Sequence, residues 1–251
     1  MSRSFSLLVA VMAGAGLLAA CSDDGSTSAA PTPSPTLSAT PTPTPTVSPT
    51  ARPTPRPTAT PRRGAAKDGD IDGDGRVDTV TVAATAGEDS TWLVTAHMTR
   101  AGKSNTQLEA DMRPQLRGVV DADGDGFAEV WLRTHSGAST EFLTPLRLVK
   151  GEITPVQRGS QTVELGVGGT VTHGNGFACK ETVASKSGRE LLVYEGSTPD
   201  NAHWSGTKTT YDWSGATLVR LSTKHESFTY SSLDDPRVAP YYSVDCGSLA
   251  P

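Results

Sequence analysis

Two short acidic loops constrain this chain more than any other feature. Each loop has carboxylates at relative positions 1, 3, 5 and 9 around a glycine at position 6. The carboxylates are Asp70, Asp72, Asp74 and Asp78 in the first loop, named loop 1, and Asp121, Asp123, Asp125 and Glu129 in the second, named loop 2. Converging carboxylates repel one another unless a cation neutralises them, and Ca²⁺ prefers several oxygen ligands around a turn. The spacing predicts two calcium ions, one per loop, with the carbonyls of Arg76 and Phe127 at position 7 as further ligands.

The segments that follow the loops favour β-strands. A helical calcium loop would carry a bidentate glutamate at position 12, where this chain has Thr81 and Leu132. Valines and threonines alternate after loop 1, and Val130, Trp131 and Leu132 follow loop 2. These β-branched, aromatic and apolar residues show no helical period. The pattern therefore predicts a loop followed by a strand, twice.

This loop-then-strand pattern resembles the FG-GAP and VCBS repeats, which are calcium-binding blades of integrin α-subunit propellers and of many bacterial surface proteins. The resemblance covers the loops and does not extend to the family's phenylalanine-glycine and glycine-alanine-proline signatures. It implies that the loop carboxylates ligate calcium in an all-β domain. Because a propeller normally has at least four blades and these repeats span about 50 residues, we expect a partial or small propeller-like array, with a compact β-sandwich as the alternative.

A third segment lies one repeat length beyond loop 2. Gly174, Asn175, Gly176 and Phe177 echo the glycine-rich end of that loop, whereas the preceding positions hold Val171 and His173 instead of carboxylates. The segment is either a degenerate third repeat without an ion or a tight turn between strands.

The N-terminal part of the chain predicts export and anchoring. Residues 1–20 have an apolar run too short for a permanent membrane span, as in a signal peptide. The run ends in Leu18-Ala19-Ala20-Cys21, which resembles a bacterial lipobox and implies lipidation of Cys21; the alternative is an ordinary secretory signal with an incidental cysteine. Residues 21–65 contain most of the chain's 18 prolines, and we expect an extended, disordered tether. Residues 66–251 form the predicted domain.

Short apolar or alternating stretches separated by turn residues predict an all-β domain. Hairpin turns are expected near Lys150-Gly151 and near Ser214-Gly215. The four tryptophans are expected in the core: Trp92, Trp131, Trp204 and Trp213. Cys179 and Cys246 form an even pair outside the cell, which favours a disulfide over a nucleophilic thiol. Their Cα atoms should then lie about 4.4 to 6.8 Å apart.

Charge and motifs narrow the function classes. The net charge is −5 and no basic stripe is present, which argues against nucleic-acid binding. We find no nucleophile elbow, zinc pair, phosphate-binding loop or dinucleotide fingerprint. The sequence favours a lipoprotein held on the outer face of the cell membrane, with a binding or envelope-structural role and a cell-wall polymer or a protein as ligand. A cell-surface hydrolase, or a substrate-binding accessory to one, is the alternative.

Overall fold

The structure, a computed structural model, describes residues 68–87, 89–182, 185 and 188–249. The signal peptide, the lipidation site at Cys21 and the tether up to residue 65 lie outside the described residues, so those assignments stay predictions. In the described part of the chain, no helix is long and apolar enough to cross a membrane.

The predicted all-β class is confirmed, because the described regular structure consists of strands and two short 3-10 helices. In chain order the strands are β1 (Thr79–Ala84), β2 (Thr91–Met98), β3 (Gly102–Glu109), β4 (Gln115–Val120), β5 (Glu129–Ser136), β6 (Thr140–Val149), β7 (Glu152–Pro155), β8 (Gln157–Arg158), β9 (Gln161–Thr162), β10 (Leu165–Thr170), β11 (His173–Glu181), β12 (Arg189–Ser197), β13 (His203–Ser214), β14 (Thr217–Thr229) and β15 (Val244–Asp245). The 3-10 helices are Ala239–Tyr241 and Gly247–Leu249.

The strands form two sheets that do not close into a barrel. The smaller is an antiparallel sheet with the order β1-β2-β3. The larger has the order β4-β5-β6-β10-β11-β12-β13-β14-β8-β9, with β7 paired to β6 and β15 paired to β11. Loop 1 leads into the meander β1-β2-β3, and loop 2 leads into the meander β5-β6-β7. The two loops therefore begin equivalent supersecondary units.

Both predicted hairpin turns are present. Val149 pairs with Glu152, and Lys150 and Gly151 between them have φ values of 53° and 87°, as a two-residue turn of type I′ requires. Ser214 pairs with Thr217 at the end of the β13-β14 hairpin, where Gly215 has a φ of 56°. These turns fix the register of the strands that flank them.

The buried residues form two main clusters, and each loop contributes to a different one. Ile71 of loop 1 packs with residues of β2, β5 and β6, whereas Ala122 of loop 2 packs with Trp131 and with Cys246 near the C-terminus. The Trp131 ring stacks on Phe177 with 5.3 Å between centroids. The tryptophan prediction is confirmed for Trp131, Trp204 and Trp213, which are buried, while Trp92 is half-buried.

The Gly174 to Gly176 segment is not the predicted tight turn between strands. It lies inside β11, and the turn falls earlier, between Thr170 and His173. A Cβ atom at Gly176 would lie 2.1 Å from the carbonyl oxygen of Pro240. One at Gly174 would lie 2.7 Å from the carbonyl oxygen of Tyr241. These glycines therefore serve close packing of the C-terminal segment against the sheet.

The predicted disulfide is confirmed. Cys179 in β11 is bonded to Cys246, and their Cα atoms are 4.8 Å apart. The adjacent strand β15 pairs in parallel with β11 through Phe177 and Val244. The bridge thus fastens the C-terminal segment to the centre of the larger sheet.

Candidate metal centre

Loop 1 brings three of its four predicted carboxylates together in the interior. Asp70, Asp72 and Asp78 are 2%, 0% and 7% exposed, and each contributes an oxygen to a group whose members lie within 4.8 Å of one another. Asp74 is half-buried at the edge of the loop. This arrangement has the donor type and the convergence that a calcium ion requires.

Backbone N–H groups orient most of the carboxylate oxygens of loop 1. Asp70 accepts hydrogen bonds from the backbone nitrogens of Asp74 and Gly75, at 3.0 and 2.8 Å. Asp78 Oδ2 accepts one from Ile71 N at 2.9 Å, and Asp74 Oδ1 accepts one from Arg76 N at 2.8 Å. These bonds run within the loop, and Asp78 Oδ1 also accepts one from the backbone nitrogen of Thr99 at 3.0 Å.

Asp72 is held differently, and one of its oxygens has no donor among the described residues. Asp72 Oδ2 accepts hydrogen bonds from the backbone nitrogens of Arg100 and Ala101, at 2.9 and 2.6 Å. Asp72 Oδ1 is buried and accepts no hydrogen bond from any residue that the structure describes. A buried carboxylate oxygen without a donor costs free energy of about 1 to 3 kcal/mol or more. A bound cation would remove that cost.

No basic side chain among the described residues forms an ion pair with a carboxylate of loop 1. The Arg100 guanidinium donates to the backbone carbonyl of Asp72 rather than to a carboxylate. Burial raises the pKa of Asp78 above its usual value, although hydrogen bonds from the backbone of Thr99 and Ile71 oppose the shift. Loop 1 therefore concentrates negative charge that the described part of the chain does not neutralise.

Loop 2 repeats the backbone scaffold of loop 1. Asp121, Asp123 and Glu129 are buried, and their ligand oxygens also lie within 4.8 Å of one another. In both loops the position-9 carboxylate accepts a hydrogen bond from the backbone nitrogen of position 2, here at 2.8 Å from Ala122 N. The position-5 carboxylate likewise accepts one from position 7, here at 2.9 Å from Phe127 N. The predicted carbonyl ligands at position 7 stay a prediction.

The difference between the loops is Arg147, which extends from β6 into the carboxylates of loop 2. Its Nε lies 3.1 Å from Glu129 Oε1, and its Nη2 lies 2.8 Å from Asp125 Oδ2 and also donates to Asp123 Oδ2. The remaining Nη1 donates to the carbonyl of Gly215, in the β13-β14 turn. The guanidinium therefore supplies a permanent positive charge at this loop.

Burial and charge oppose each other at loop 2. Burial raises the pKa of Asp123 to about 7 and that of Glu129 well above its usual value, while the charge of Arg147 lowers both. Burial by itself would lower the pKa of Arg147, but the neighbouring charges of Glu129, Asp123 and Asp125 raise it overall. Arg147 thus offsets part of the cost of burying these carboxylates, and they stabilise its charged form.

Arg147 is a site residue that the sequence reasoning missed. It lies between Leu146 and Leu148, in one of the apolar stretches that predict strands. The apolar–charged–apolar alternation would place Arg147 on a polar face of its strand, so it gives no signal that the side chain is buried. No spacing rule connects it with loop 2, because the contact depends on how β6 pairs with β5.

A polar cleft has no residue of either loop in its lining. It has a volume of about 1020 Å³ and is formed by strands from both sheets and the short strands β8 and β9. Its lining consists of Thr91, Gln107, Leu108, Glu109, Phe142, Thr144, Pro155, Gln157, Arg158, Ser160, Gln161, Thr162 and Glu164. A second cavity of about 390 Å³ shares Glu109, Phe142 and Glu164 with it. We name the first cavity the polar cleft and the second the adjoining cavity.

Comparison of the chain with protein-family models, with curated proteins and with solved structures found no match.

Proposed function

We propose that loop 1 binds a calcium ion that stabilises the β domain. The observation that carries this proposal is the buried, unpartnered Oδ1 of Asp72 within a group of three buried carboxylates. The bound ion would supply the positive charge that this group lacks among the described residues. Asp70, Asp72, Asp74 and Asp78 would supply carboxylate oxygens, and Arg76 would supply its carbonyl oxygen.

Loop 2 differs from loop 1 because Arg147 already contacts its carboxylates. Its carboxylates could still ligate the second predicted ion, but an ion would have to compete with the charge and the hydrogen bonds of Arg147. We therefore propose that loop 2 binds calcium more weakly than loop 1 and holds its structure without it. The equivalent scaffolds of the loops support assignment of both units to an FG-GAP or VCBS type of repeat in a propeller-like array.

We propose that the protein is a lipoprotein anchored through Cys21 on the outer side of the membrane. Its β domain binds a component of the cell envelope. Labelling with a fatty-acid probe tests the anchor: the wild type should be labelled, and Cys21→Ala should not. Wild-type protein that is unlabelled, released and starts beyond Cys21 would contradict the lipid anchor.

The alternative function, a cell-surface hydrolase or a substrate-binding accessory to one, is supported by one observation, the polar cleft with Glu109 and Glu164.

Thermal unfolding with and without calcium tests the metal proposal. At a calcium concentration of about 10 to 100 times Kd, binding should stabilise the wild type by about 1.4 to 2.7 kcal/mol, which raises Tm by roughly 3 to 11 °C relative to chelator. Asp72→Asn should remove most of this rise. Asp89→Asn is the matched control, because Asp89 is exposed and lies outside both loops. Equal Tm values for the wild type in calcium and in chelator would contradict the proposal.

A further inference from the structure

We propose that the polar cleft is a binding site for a neutral oligosaccharide. The inference deepens the binding role proposed above and rests on it, but it does not depend on the metal. Its lining lies on β2, β3, β6 and the segment from β7 to Glu164, and none of it comes from loop 1 or loop 2.

The size and construction of the cleft suit a short chain of sugar units. A volume of about 1020 Å³ lies at the upper end of the range for ligand sites, about 300 to 1,000 Å³. Strands of both sheets form its walls, so that hydrogen-bonded ladders fix the lining residues. The adjoining cavity extends the same surface beyond Glu109 and Glu164. An extended ligand can therefore contact a largely preformed surface.

The lining chemistry matches groups that both donate and accept hydrogen bonds. Seven of its side chains carry an amide or a hydroxyl group: Thr91, Gln107, Thr144, Gln157, Ser160, Gln161 and Thr162. Amides and hydroxyls offer both donors and acceptors, as the hydroxyl groups of a sugar do. Gln157 Nε2 is held at 3.1 Å from Thr162 Oγ1, which orients both side chains at the wall. An apolar ligand would displace water from these side chains without replacing the hydrogen bonds that they lose.

The charge of the cleft disfavours anionic ligands. Glu109 and Glu164 face it together with a single cation, Arg158. Glu164 Oε1 accepts a hydrogen bond from the buried Thr134 Oγ1 at 3.2 Å, and that hydroxyl is paired with Thr144 Oγ1 at 2.9 Å. A carboxylate fixed in this way would repel phosphate or uronate groups, whereas it can accept hydrogen bonds from sugar hydroxyls.

One aromatic ring completes the site. Phe142 is half-buried in the lining shared by the two cavities, and its ring contacts that of His135 edge-on with 5.2 Å between centroids. His135 is held in turn by Asp111, with 2.7 Å between Nδ1 and Oδ2. A fixed aromatic surface beside polar groups offers the C–H face of a sugar ring an apolar contact.

The test titrates the ¹⁵N-labelled full chain with neutral hexasaccharides: β-1,4-glucan, α-1,4-glucan, β-1,4-linked N-acetylglucosamine and α-1,6-mannan. At least one should shift the amide signals of the lining residues in β3 and in β8 to β9. Glu109→Ala and Phe142→Ala should each weaken its binding about tenfold or more, which corresponds to about 1.4 kcal/mol. Glu152→Ala, an exposed change on β7 outside the lining, should leave the affinity within about twofold.

Three results would overturn the inference. The first is that no hexasaccharide shifts the amide signals of the lining residues at concentrations up to about 10 mM, where even weak binding would be detected. The second is shifts that map elsewhere, such as to β14. The third is that pentalysine or polyphosphate shifts the lining signals and the neutral sugars do not. Because the rise of Tm in calcium is measured on the same samples, loss of the sugar site and failure of the metal proposal are distinguishable.

Discussion

Loop 1 and loop 2 share a backbone scaffold around three buried carboxylates and differ in what faces the negative charge. In loop 2 the guanidinium of Arg147 contacts Asp123, Asp125 and Glu129. In loop 1 the equivalent position-3 carboxylate, Asp72, is bound by two backbone N–H groups and keeps one oxygen without a described donor. The same spacing of acidic residues thus occurs in two electrostatic settings. In loop 2 a side chain from another part of the sequence neutralises the carboxylates, and in loop 1 no described side chain does so.

The largest expected effect is at Arg147. Arg147→Met removes the cation and leaves buried carboxylates unpaired, which should cost about 3 to 5 kcal/mol in chelator. Excess calcium should recover part of this loss, because loop 2 then offers its oxygens to an ion. Denaturant unfolding in chelator and in calcium measures both effects. Arg220→Met, an exposed arginine on β14, is the control and should change stability by no more than about 0.5 kcal/mol. A loss from Arg147→Met as small as the control's would show that the guanidinium does not support loop 2.

The position-9 carboxylates should respond differently to the same loss of charge. Glu129→Gln weakens the contact with Arg147 Nε, so we expect a loss of about 1.5 to 3 kcal/mol in chelator as well as in calcium. Asp78→Asn should mainly reduce the calcium-dependent part of the stability, because Asp78 has no basic partner among the described residues. Unfolding of both variants in both conditions checks this. Equal responses to calcium would remove the proposed distinction between the loops.

The contribution of the disulfide to stability should be coupled energetically to loop 2 and not to loop 1. Cys246 packs in the same buried cluster as Ala122 of loop 2, whereas Ile71 of loop 1 belongs to the other main cluster. A double-mutant cycle that combines the Cys179→Ala/Cys246→Ala pair with Arg147→Met should therefore give an interaction free energy of about 0.5 to 3 kcal/mol. The same cysteine changes and Asp72→Asn should be additive within about 0.5 kcal/mol. The reverse pattern of coupling would contradict the assignment of the loops to separate clusters.

The smallest expected effect is a pH dependence of the calcium response. Burial raises the folded-state pKa of Asp78, so the calcium-free folded domain binds a proton there more tightly than the unfolded chain does. That proton stabilises the fold at low pH, and its contribution is lost as pH rises through the folded-state pKa. Calcium must displace this proton, so the rise of Tm in calcium should be larger at pH 7 than at pH 4.5. A rise that is equal at both values in the wild type would contradict this contribution.

The sequence predicted the parts of the molecule that depend on local chemistry. The convergence of Asp70, Asp72 and Asp78 follows in part from their spacing, since both oxygens of Asp70 and one of Asp78 accept hydrogen bonds from their own loop. The two hairpins follow from their turn residues, and the disulfide follows from an even pair of cysteines in a domain that the sequence predicts to be exported.

What the sequence did not predict depends on contacts between distant segments. Arg147 reaches loop 2 only because β6 pairs beside β5, and Asp72 receives donors from Arg100 and Ala101 of another turn. Of the two alternatives for the Gly174 to Gly176 segment, the tight turn was wrong, because glycine serves turns and close packing alike. The polar cleft combines segments from both sheets, and no local motif marks it.

The most direct test of the different roles of the loops is to count bound calcium ions per chain by equilibrium dialysis of metal-free protein. At free calcium up to about 1 mM, the range for extracellular sites, we expect one ion in the wild type. Asp72→Asn should bind none, and Asp123→Asn should still bind one. Two ions of equal affinity in the wild type, or loss of the single ion in Asp123→Asn and not in Asp72→Asn, would contradict the account.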